Sequence, residues 1–216
     1  MRKTLRCAAL AAVAVALGAC SAGPVAPPAP TTTAPVTSAA APSTAGSAGQ
    51  VFGPACSRFP QGDTPGSLTA MARQPVATAI GTNAPLAELG AAISAAGLTG
   101  TLDQQQAVTV LAPDDAAFAT VRTTLGADRF AALLADTRAV TGVLALNVVE
   151  GRLDAAGLVS AKTVRSLGGA ELTIGGTAEA PTVTDPQGTT ARVLCGNIPT
   201  ANATVFVIDK VLMPRT

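Results

Sequence analysis

The chain has 216 residues, 14 of them basic and 13 acidic, and 48% of its residues are hydrophobic, but it contains no histidine, tryptophan or tyrosine. Without histidine, a Ser-His-Asp triad, a Cys-His pair and an ordinary catalytic zinc site are excluded. The near balance of charge leaves no basic patch for nucleic acid, and phenylalanine as the only aromatic type argues against stacking of bases or sugars. We therefore expect no enzyme, no cofactor and no nucleic-acid partner.

The N-terminus has the layout of a secretory signal peptide. The first six residues, MRKTLR, carry three positive charges, and the apolar run CAALAAVAVALGA that follows is too short to span a bilayer well. The sequence LGAC at 17–20 resembles the lipobox of bacterial lipoproteins, in which the cysteine receives a diacylglyceryl group and becomes the first mature residue. Ordinary cleavage at an Ala-x-Ala type site nearby is the alternative. We expect residues 1–19 to be a signal peptide and Cys20 to be lipidated, which makes the membrane a partner through the lipid anchor.

Residues 20–50 form a predicted stalk. After Cys20 this segment contains no charged or aromatic residue, and its only sizeable apolar side chains are two valines, so it cannot bury enough surface to offset the entropy of ordering. Six prolines stiffen it, and at ~3.1 Å per residue it reaches at most ~90 Å. The threonines at 31–33 among prolines are typical of O-glycosylated stalks, although a plain solvated linker accounts for them almost as well.

Removal of residues 1–19 takes away three basic residues and no acid, which lowers the basic count from 14 to 11 against 13 acids and gives a net charge of −2. Of the four cysteines, Cys7 leaves with the signal peptide and Cys20 is the predicted anchor. Cys56 and Cys195 remain in an oxidising compartment, where a disulfide between them is the simplest expectation and two free buried thiols are the alternative.

Residues 51–216 are long enough for one domain with a core of alanine, valine and leucine. Helical spacing begins at Gly66, is interrupted at Pro75, and returns over 85–97 before the strand pattern of 107–113. Helical spacing recurs from 127 into the segment LALNVVEG. After Gly151 the pattern becomes one of short strands separated by glycine and proline turns, and the last predicted strand covers 203–214. Helices followed by a run of strands predict an α+β fold and not an alternating parallel βαβ fold.

Three segments resemble the signature segments of fasciclin domains, in the same order and at similar separations. They are TVLAPDDAAF at 109–118, LALNVVEG at 144–151 and NATVFVIDKVLMP at 202–214. The resemblance covers about residues 60–216 and, with the lipobox and stalk, extends to mycobacterial-type fasciclin lipoproteins. It implies a wedge of short strands packed with several helices, and a role at the cell surface in adhesion or protein interaction. It implies no reaction, and we expect a monomer whose protein or extracellular-matrix partner is unknown.

One departure from the fasciclin pattern bears on function. Many fasciclin domains carry a Tyr-His pair where this chain has Leu146 and Asn147, and in animal members that neighbourhood has been linked to integrin binding. Because both residue types are absent here, we do not expect an integrin-type site at these positions.

The adjacent acids Asp114 and Asp115 could be a catalytic pair, a calcium site or helix caps. A catalytic pair needs two carboxylates that face each other, whereas consecutive side chains point in different directions, and no alternating acidic loop of a calcium hand follows. Asp114 follows Pro113 where a strand gives way to a helix, so we expect it to cap that helix. Asn202 fits a glycosylation sequon but is interpreted as the start of the last strand, and Asp209 is interpreted as an acid satisfied by backbone or a basic neighbour.

The leading hypothesis is a lipid-anchored adhesion or interaction module on the outer face of the cell membrane, with shed or secreted forms also conceivable. The alternative is an envelope protein that holds an apolar, lipid-like ligand. The alternative predicts an apolar cavity of several hundred Å³, whereas the leading hypothesis predicts a filled core.

Overall fold

The structure is a computed structural model in which residues 49–215 are described. Cys20, the predicted signal peptide and nearly all of the predicted stalk lie outside these residues. The described part contains eight α-helices: α1 (Leu68–Met71), α2 (Val76–Gly81), α3 (Ala87–Ala95), α4 (Thr99–Asp103), α5 (Asp115–Leu125), α6 (Ala127–Ala135), α7 (Thr137–Leu146) and α8 (Ala155–Ala161). It contains seven strands: β1 (Val108–Pro113), β2 (Val148–Glu150), β3 (Thr163–Arg165), β4 (Glu171–Thr177), β5 (Ala180–Thr184), β6 (Thr190–Pro199) and β7 (Ala203–Ile208).

The strands form one sheet in the order β2-β1-β7-β6-β5-β4-β3. Every neighbouring pair is antiparallel except β1 and β7, which run parallel. The two ends of the sheet meet, because Val149 forms an antiparallel bridge with Ser166 and the backbone N–H of Leu167 donates to the carbonyl of Val148 over 2.7 Å. The fold is α+β, as the sequence predicts. The parallel pair was not predicted, because it joins residues about a hundred positions apart.

The central strands β1 and β7 are buried along their whole length. Successive side chains of a strand point to opposite faces, so β7 sends Val205 and Val207 to one hydrophobic cluster and Phe206 and Ile208 to another. A strand buried on both faces needs a nearly continuous apolar run, which explains the sequence ATVFVI, in which Thr204 is the only polar residue.

We call these the helix-side cluster and the strand-side cluster. The helix-side cluster is built by α1 to α7 with one face of the central strands, and its buried members include Met71, Val76, Ile80, Leu86, Leu89, Ala92, Phe118, Phe130, Val140, Leu144, Val205 and Val207. The strand-side cluster consists of Leu111, Leu146, Val149, Ala155, Leu158, Val164, Leu172, Ile174, Val183, Ala191, Val193, Phe206, Ile208 and Leu212.

Three segments differ from the sequence prediction. The helical pattern predicted from 127 into LALNVVEG ends at Leu146, and Val148–Glu150 form β2. The segment after Gly151 contains α8 as well as strands; the Asp154 side chain caps this helix by accepting from the Gly157 N–H over 2.7 Å, and Leu158 is fully buried in the strand-side cluster. The last strand ends at Ile208 instead of 214, because the N–H of Asp209 bonds back to the Arg192 carbonyl and the chain then leaves the sheet.

The beginning of the described chain is held against β6. Phe52 and Gly196 exchange two backbone hydrogen bonds of 3.3 and 2.8 Å. A disulfide joins Cys56 to Cys195, with 5.0 Å between their Cα atoms. Gly196 is required by close approach, because a Cβ atom there would lie 2.4 Å from the ring of Phe52. Residues 52–56 are therefore tied to the sheet by both hydrogen bonds and a covalent bond.

Candidate binding surfaces

Asp114 lies between β1 and α5, and the structure places it as the N-cap of α5. Its Oδ1 accepts a hydrogen bond of 2.9 Å from the N–H of Ala117. Its Oδ2 lies 3.2 Å from Nη1 of Arg58, a contact that the sequence did not predict. The residue is only 4% exposed. Both carboxylate oxygens thus have structural partners, and the carboxylate is not open to a substrate.

Asp115 points away from Asp114 and contacts a different helix. Its Oδ1 accepts a hydrogen bond of 2.9 Å from the N–H of Glu88, the second residue of α3. The Glu88 side chain in turn lies 2.7 Å from Nη2 of Arg122 on α5. The two acids therefore satisfy unpaired N–H groups in the first turns of two helices and join α3 to α5. They are not a catalytic pair.

Asn202 and Asp209, which the sequence singled out, are also used in packing. The Asn202 Oδ1 accepts from the N–H of Val76 over 2.8 Å, and its Nδ2 donates to the carbonyls of Leu102 and Gln105 over 2.9 Å each. Asp209 accepts from the N–H and Nε of Arg192 over 2.7 and 3.0 Å. In addition, no group of three or more cysteine, aspartate or glutamate side chains in residues 49–215 is placed to hold a metal ion.

Leu146 and Asn147, at the positions of the Tyr-His pair of many fasciclin domains, both lie in the interior. Leu146 is 1% exposed and belongs to the strand-side cluster, and Asn147 is 3% exposed. The Nδ2 of Asn147 donates to the carbonyls of Val143 over 2.8 Å and Leu212 over 3.2 Å. Its Oδ1 is buried and has no hydrogen-bond partner among the described residues. Sequence reasoning missed this acceptor, since only the fold reveals what surrounds it.

Asn147 lines an apolar cavity of about 30 Å³ in the helix-side cluster. The cavity lies among α3, α5, α6, α7 and the segment after β7. Its walls are formed by Leu89, Ala92, Pro113, Phe118, Val121, Phe130, Leu133, Leu134, Val140, Val143, Leu144, Asn147, Val211 and Met213. The cavity is far smaller than the several hundred Å³ that a carrier enclosing its whole ligand requires.

Two surface grooves share walls with this cavity. A groove of about 270 Å³ shares Val121, Val211 and Met213 with it. A smaller groove of about 130 Å³ shares Ala92, Phe118, Leu134 and Val140. Helix α6 lies over the cavity, and only Phe130 of its nine residues is buried. The apolar interior is thus closest to solvent around α6.

A third, more polar groove of about 820 Å³ lies on another side of the domain, between β3, β4 and the turn that joins β5 to β6. The C-terminal residues cover one side of it. The Arg215 guanidinium donates twice to the Pro186 carbonyl, and Asp185 accepts from the N–H of Met213 over 3.1 Å. Its Asp185 is buried, and its carboxylate also accepts from the backbone N–H groups of Gln187 and Thr189.

None of the helices in residues 49–215 has the length and apolar content needed to cross a membrane.

Comparison with known proteins bears on the whole chain. A family model described as the fasciclin domain matches residues 84–214. The immunogenic protein MPB70 of Mycobacterium bovis is 36% identical over 174 residues, which cover 77% of this chain and 84% of that protein. The cell surface glycolipoprotein MPB83 of the same species is 35% identical over an alignment of 228 positions, gaps included. The alignment covers 98% of this chain and 96% of that protein. The latter alignment therefore extends well into the residues before position 49.

Among solved structures, a FAS1 domain pair from the insect cell adhesion molecule fasciclin I matches with a TM-score of 0.58 and 11% identity. The match covers 65% of this chain and 51% of that chain, so this chain spans about half of the pair. At this identity the likeness concerns the fold alone. Together these matches confirm the α+β fold and the resemblance predicted from the three signature segments.

Proposed function

Because this chain belongs to the fasciclin-domain family, we propose that it is a lipid-anchored protein of a bacterial cell surface that works by contact with other macromolecules and not by chemistry. The observation that carries the proposal is the 98% coverage in the alignment with a cell surface glycolipoprotein. That relative is named for a surface location and a lipid, and its alignment includes the region of this chain that holds LGAC at 17–20.

The described domain supports contact in preference to catalysis. The two adjacent acids cap helices, the only two cysteines in residues 49–215 form a disulfide, and the chain has no histidine. General acid-base or nucleophilic catalysis needs a base near a reacting group, and these contacts leave none of the expected candidates in that role. Adhesion or protein interaction at the envelope requires only an exposed surface held at a distance from the membrane.

The anchor is tested by metabolic labelling with palmitate and by membrane fractionation of cells that express the full-length chain. Cys20→Ala should abolish labelling and release the protein from the membrane fraction. Cys7→Ala is the matched control, because this cysteine lies within the predicted signal peptide and should leave labelling unchanged. Full labelling of the Cys20→Ala chain would show that the anchor lies elsewhere.

The contact function is tested by site-specific photo-crosslinking in intact cells. A photoreactive residue at Ala131, which is exposed on α6, should give a crosslinked product of fixed mass that disappears when an excess of unlabelled domain competes. The same photoreactive residue at Gln187, which is exposed in the turn between β5 and β6, serves as the comparison. If neither these two positions nor further exposed positions give a crosslinked product that the unlabelled domain removes, a contact function is contradicted.

A further inference from the structure

The buried acceptor in the apolar cavity is the starting point. Three buried side-chain acceptors in residues 49–215 have no hydrogen-bond partner, on Gln74, Asn83 and Asn147. Of these, Asn147 is the one that lines the cavity under α6. Its Nδ2 already donates to two backbone carbonyls, which fixes the orientation of the amide and leaves Oδ1 as the atom without a partner. A buried acceptor without a donor costs free energy, so a group with an O–H or N–H would be stabilised at this point.

A water molecule fits this point poorly. The cavity of about 30 Å³ has room for about two waters by volume, but a buried water is normally held by two to four polar partners. The side chains around this cavity are apolar except for Asn147. A hydroxyl group carried on a hydrocarbon chain satisfies Oδ1 with its single donor and places methylene groups against the apolar walls, so it fits better than water.

The neighbouring surface groove is the nearest space for the rest of such a chain. This groove of about 270 Å³ shares the side chains of Val121, Val211 and Met213 with the cavity as walls, and its remaining walls include the exposed side chain of Leu125. The one charged residue that lines this groove is Lys210. Lys210 is exposed and makes no ion pair with the described residues.

Lys210 is also close to the acceptor along the chain. The Leu212 carbonyl accepts from Nδ2 of Asn147, and Lys210 precedes Leu212 by two residues, so their Cα atoms are at most roughly 7 Å apart. A short aliphatic chain can therefore place one end near Asn147 and the other near the Lys210 ammonium. An anionic group at that second end is the charge that complements lysine.

We propose that this domain binds a straight-chain aliphatic acid that carries a hydroxyl group, with the hydroxyl donating to Asn147 Oδ1, the hydrocarbon lying in the groove, and the carboxylate at Lys210. Helix α6 covers the hydroxyl end through Phe130, Leu133 and Leu134. Non-helical residues flank this helix at both ends: Gly126, with φ of 84°, precedes it, and Asp136, in extended backbone, follows it. This site goes beyond the contact function proposed above and does not depend on it.

The ligand side of the proposal is tested by calorimetric titration with three ten-carbon probes. The protein is the full-length chain with Cys20→Ala, so that no attached acyl group competes for the groove. The probe 10-hydroxydecanoate should bind at least about tenfold more tightly than decanoate, which lacks the hydroxyl, and than 1-decanol, which lacks the carboxylate. Equal affinities for 10-hydroxydecanoate and decanoate, or no saturable binding of 10-hydroxydecanoate, would overturn the proposal.

The protein side is tested with surface variants that spare the fold. Val121→Trp should block the junction between groove and cavity and weaken binding of 10-hydroxydecanoate at least about tenfold. Ala119→Trp is the matched control on the same helix, because Ala119 is exposed and lines neither space. Lys210→Gln should weaken the binding of 10-hydroxydecanoate and leave the binding of 1-decanol unchanged. Unfolding midpoints are measured for each variant, and tight binding by a folded Val121→Trp chain would place the ligand elsewhere.

Discussion

The two hydrophobic clusters share the central strands but are filled differently. The strand-side cluster is made of leucine, isoleucine, valine and Phe206 with only two buried alanines, and seven of its members are among the largest fully buried side chains. The helix-side cluster contains seven buried alanines and borders the apolar cavity. Alanine favours helix formation but fills little volume, so an alanine-rich helical layer packs less completely than a sheet of branched side chains. The closed sheet therefore acts as the rigid part of the domain, and the helical layer as the part with spare volume.

The largest effect is expected from reduction of the disulfide. Cys195 is a member of the helix-side cluster and Cys56 packs against it. The bond closes a loop with a sequence separation of 139, for which the chain-entropy model gives about 5 kcal/mol as an upper figure. Urea unfolding with and without reductant measures the loss, and hydrogen exchange should show faster exchange first in the helices. Two alkylatable thiols in the native, unreduced protein would contradict the bond itself.

Removal of one phenylalanine from each cluster compares their packing directly. Phe206→Ala should destabilise the domain by about 3–5 kcal/mol, because Phe206 is fully enclosed in the strand-side cluster. Phe130→Ala should cost no more than about 3 kcal/mol, because this residue borders the cavity under a single exposed helix that can collapse inward. Unfolding midpoints in urea measure the stability of both variants. A larger loss of stability from Phe130→Ala than from Phe206→Ala would contradict the difference in packing between the two clusters.

Replacing one alanine in each cluster by leucine tests for spare volume by adding side-chain atoms instead of removing them. Ala191→Leu should cost about 1–3 kcal/mol, because this fully buried residue of the strand-side cluster has no space beside it to expand into. Ala92→Leu should change stability by no more than about 1 kcal/mol, because its side chain can extend into the cavity. Thermal unfolding of both variants provides the measurement. Similar losses at the two sites would mean that the cavity does not behave as free volume.

The smallest effect concerns the cap that joins the sheet to the helical layer. Asp114→Ala should cost about 0.5–2 kcal/mol, whereas Asp114→Asn keeps a capping oxygen and loses only the ion pair with the mostly exposed Arg58, worth at most about 1 kcal/mol. Asp63→Ala, which removes an exposed pair with Arg73, is the control and should have almost no effect. A tenfold loss of partner binding in Asp114→Asn with unchanged stability would show that the charge has a function.

Local chemistry predicted some of these features well. A short acid after a proline, at the change from a strand pattern to a helical pattern, is sufficient to place Asp114 at a helix N-terminus. Two cysteines left in an oxidising compartment are sufficient to suggest the pair Cys56 and Cys195. The strand β1 was recognisable from its alternation and its β-branched residues, which favour extended backbone.

Features set by distant contacts could not be predicted. Helix α8 has seven residues that include a glycine, so its sequence pattern is weak, and the packing of Leu158 against the sheet decides its structure. The second acid, Asp115, caps a helix 27 residues away, which no local pattern indicates. The unpartnered oxygen of Asn147 depends on which side chains from four helices surround it. The helix cap was therefore predictable, whereas the candidate ligand site was not.

The attachment of residues 52–56 to β6 has a mechanical consequence. A pull applied through the chain before these residues reaches the sheet at Gly196 and Cys195, beside the central strand β7. The disulfide carries that tension directly into β6, so the segment between the two cysteines cannot be drawn out from its ends while the bond is intact. For a protein pulled from its N-terminal side, the segment that contains α1 to α8 would therefore keep its length under load, because all of these helices lie between the two cysteines.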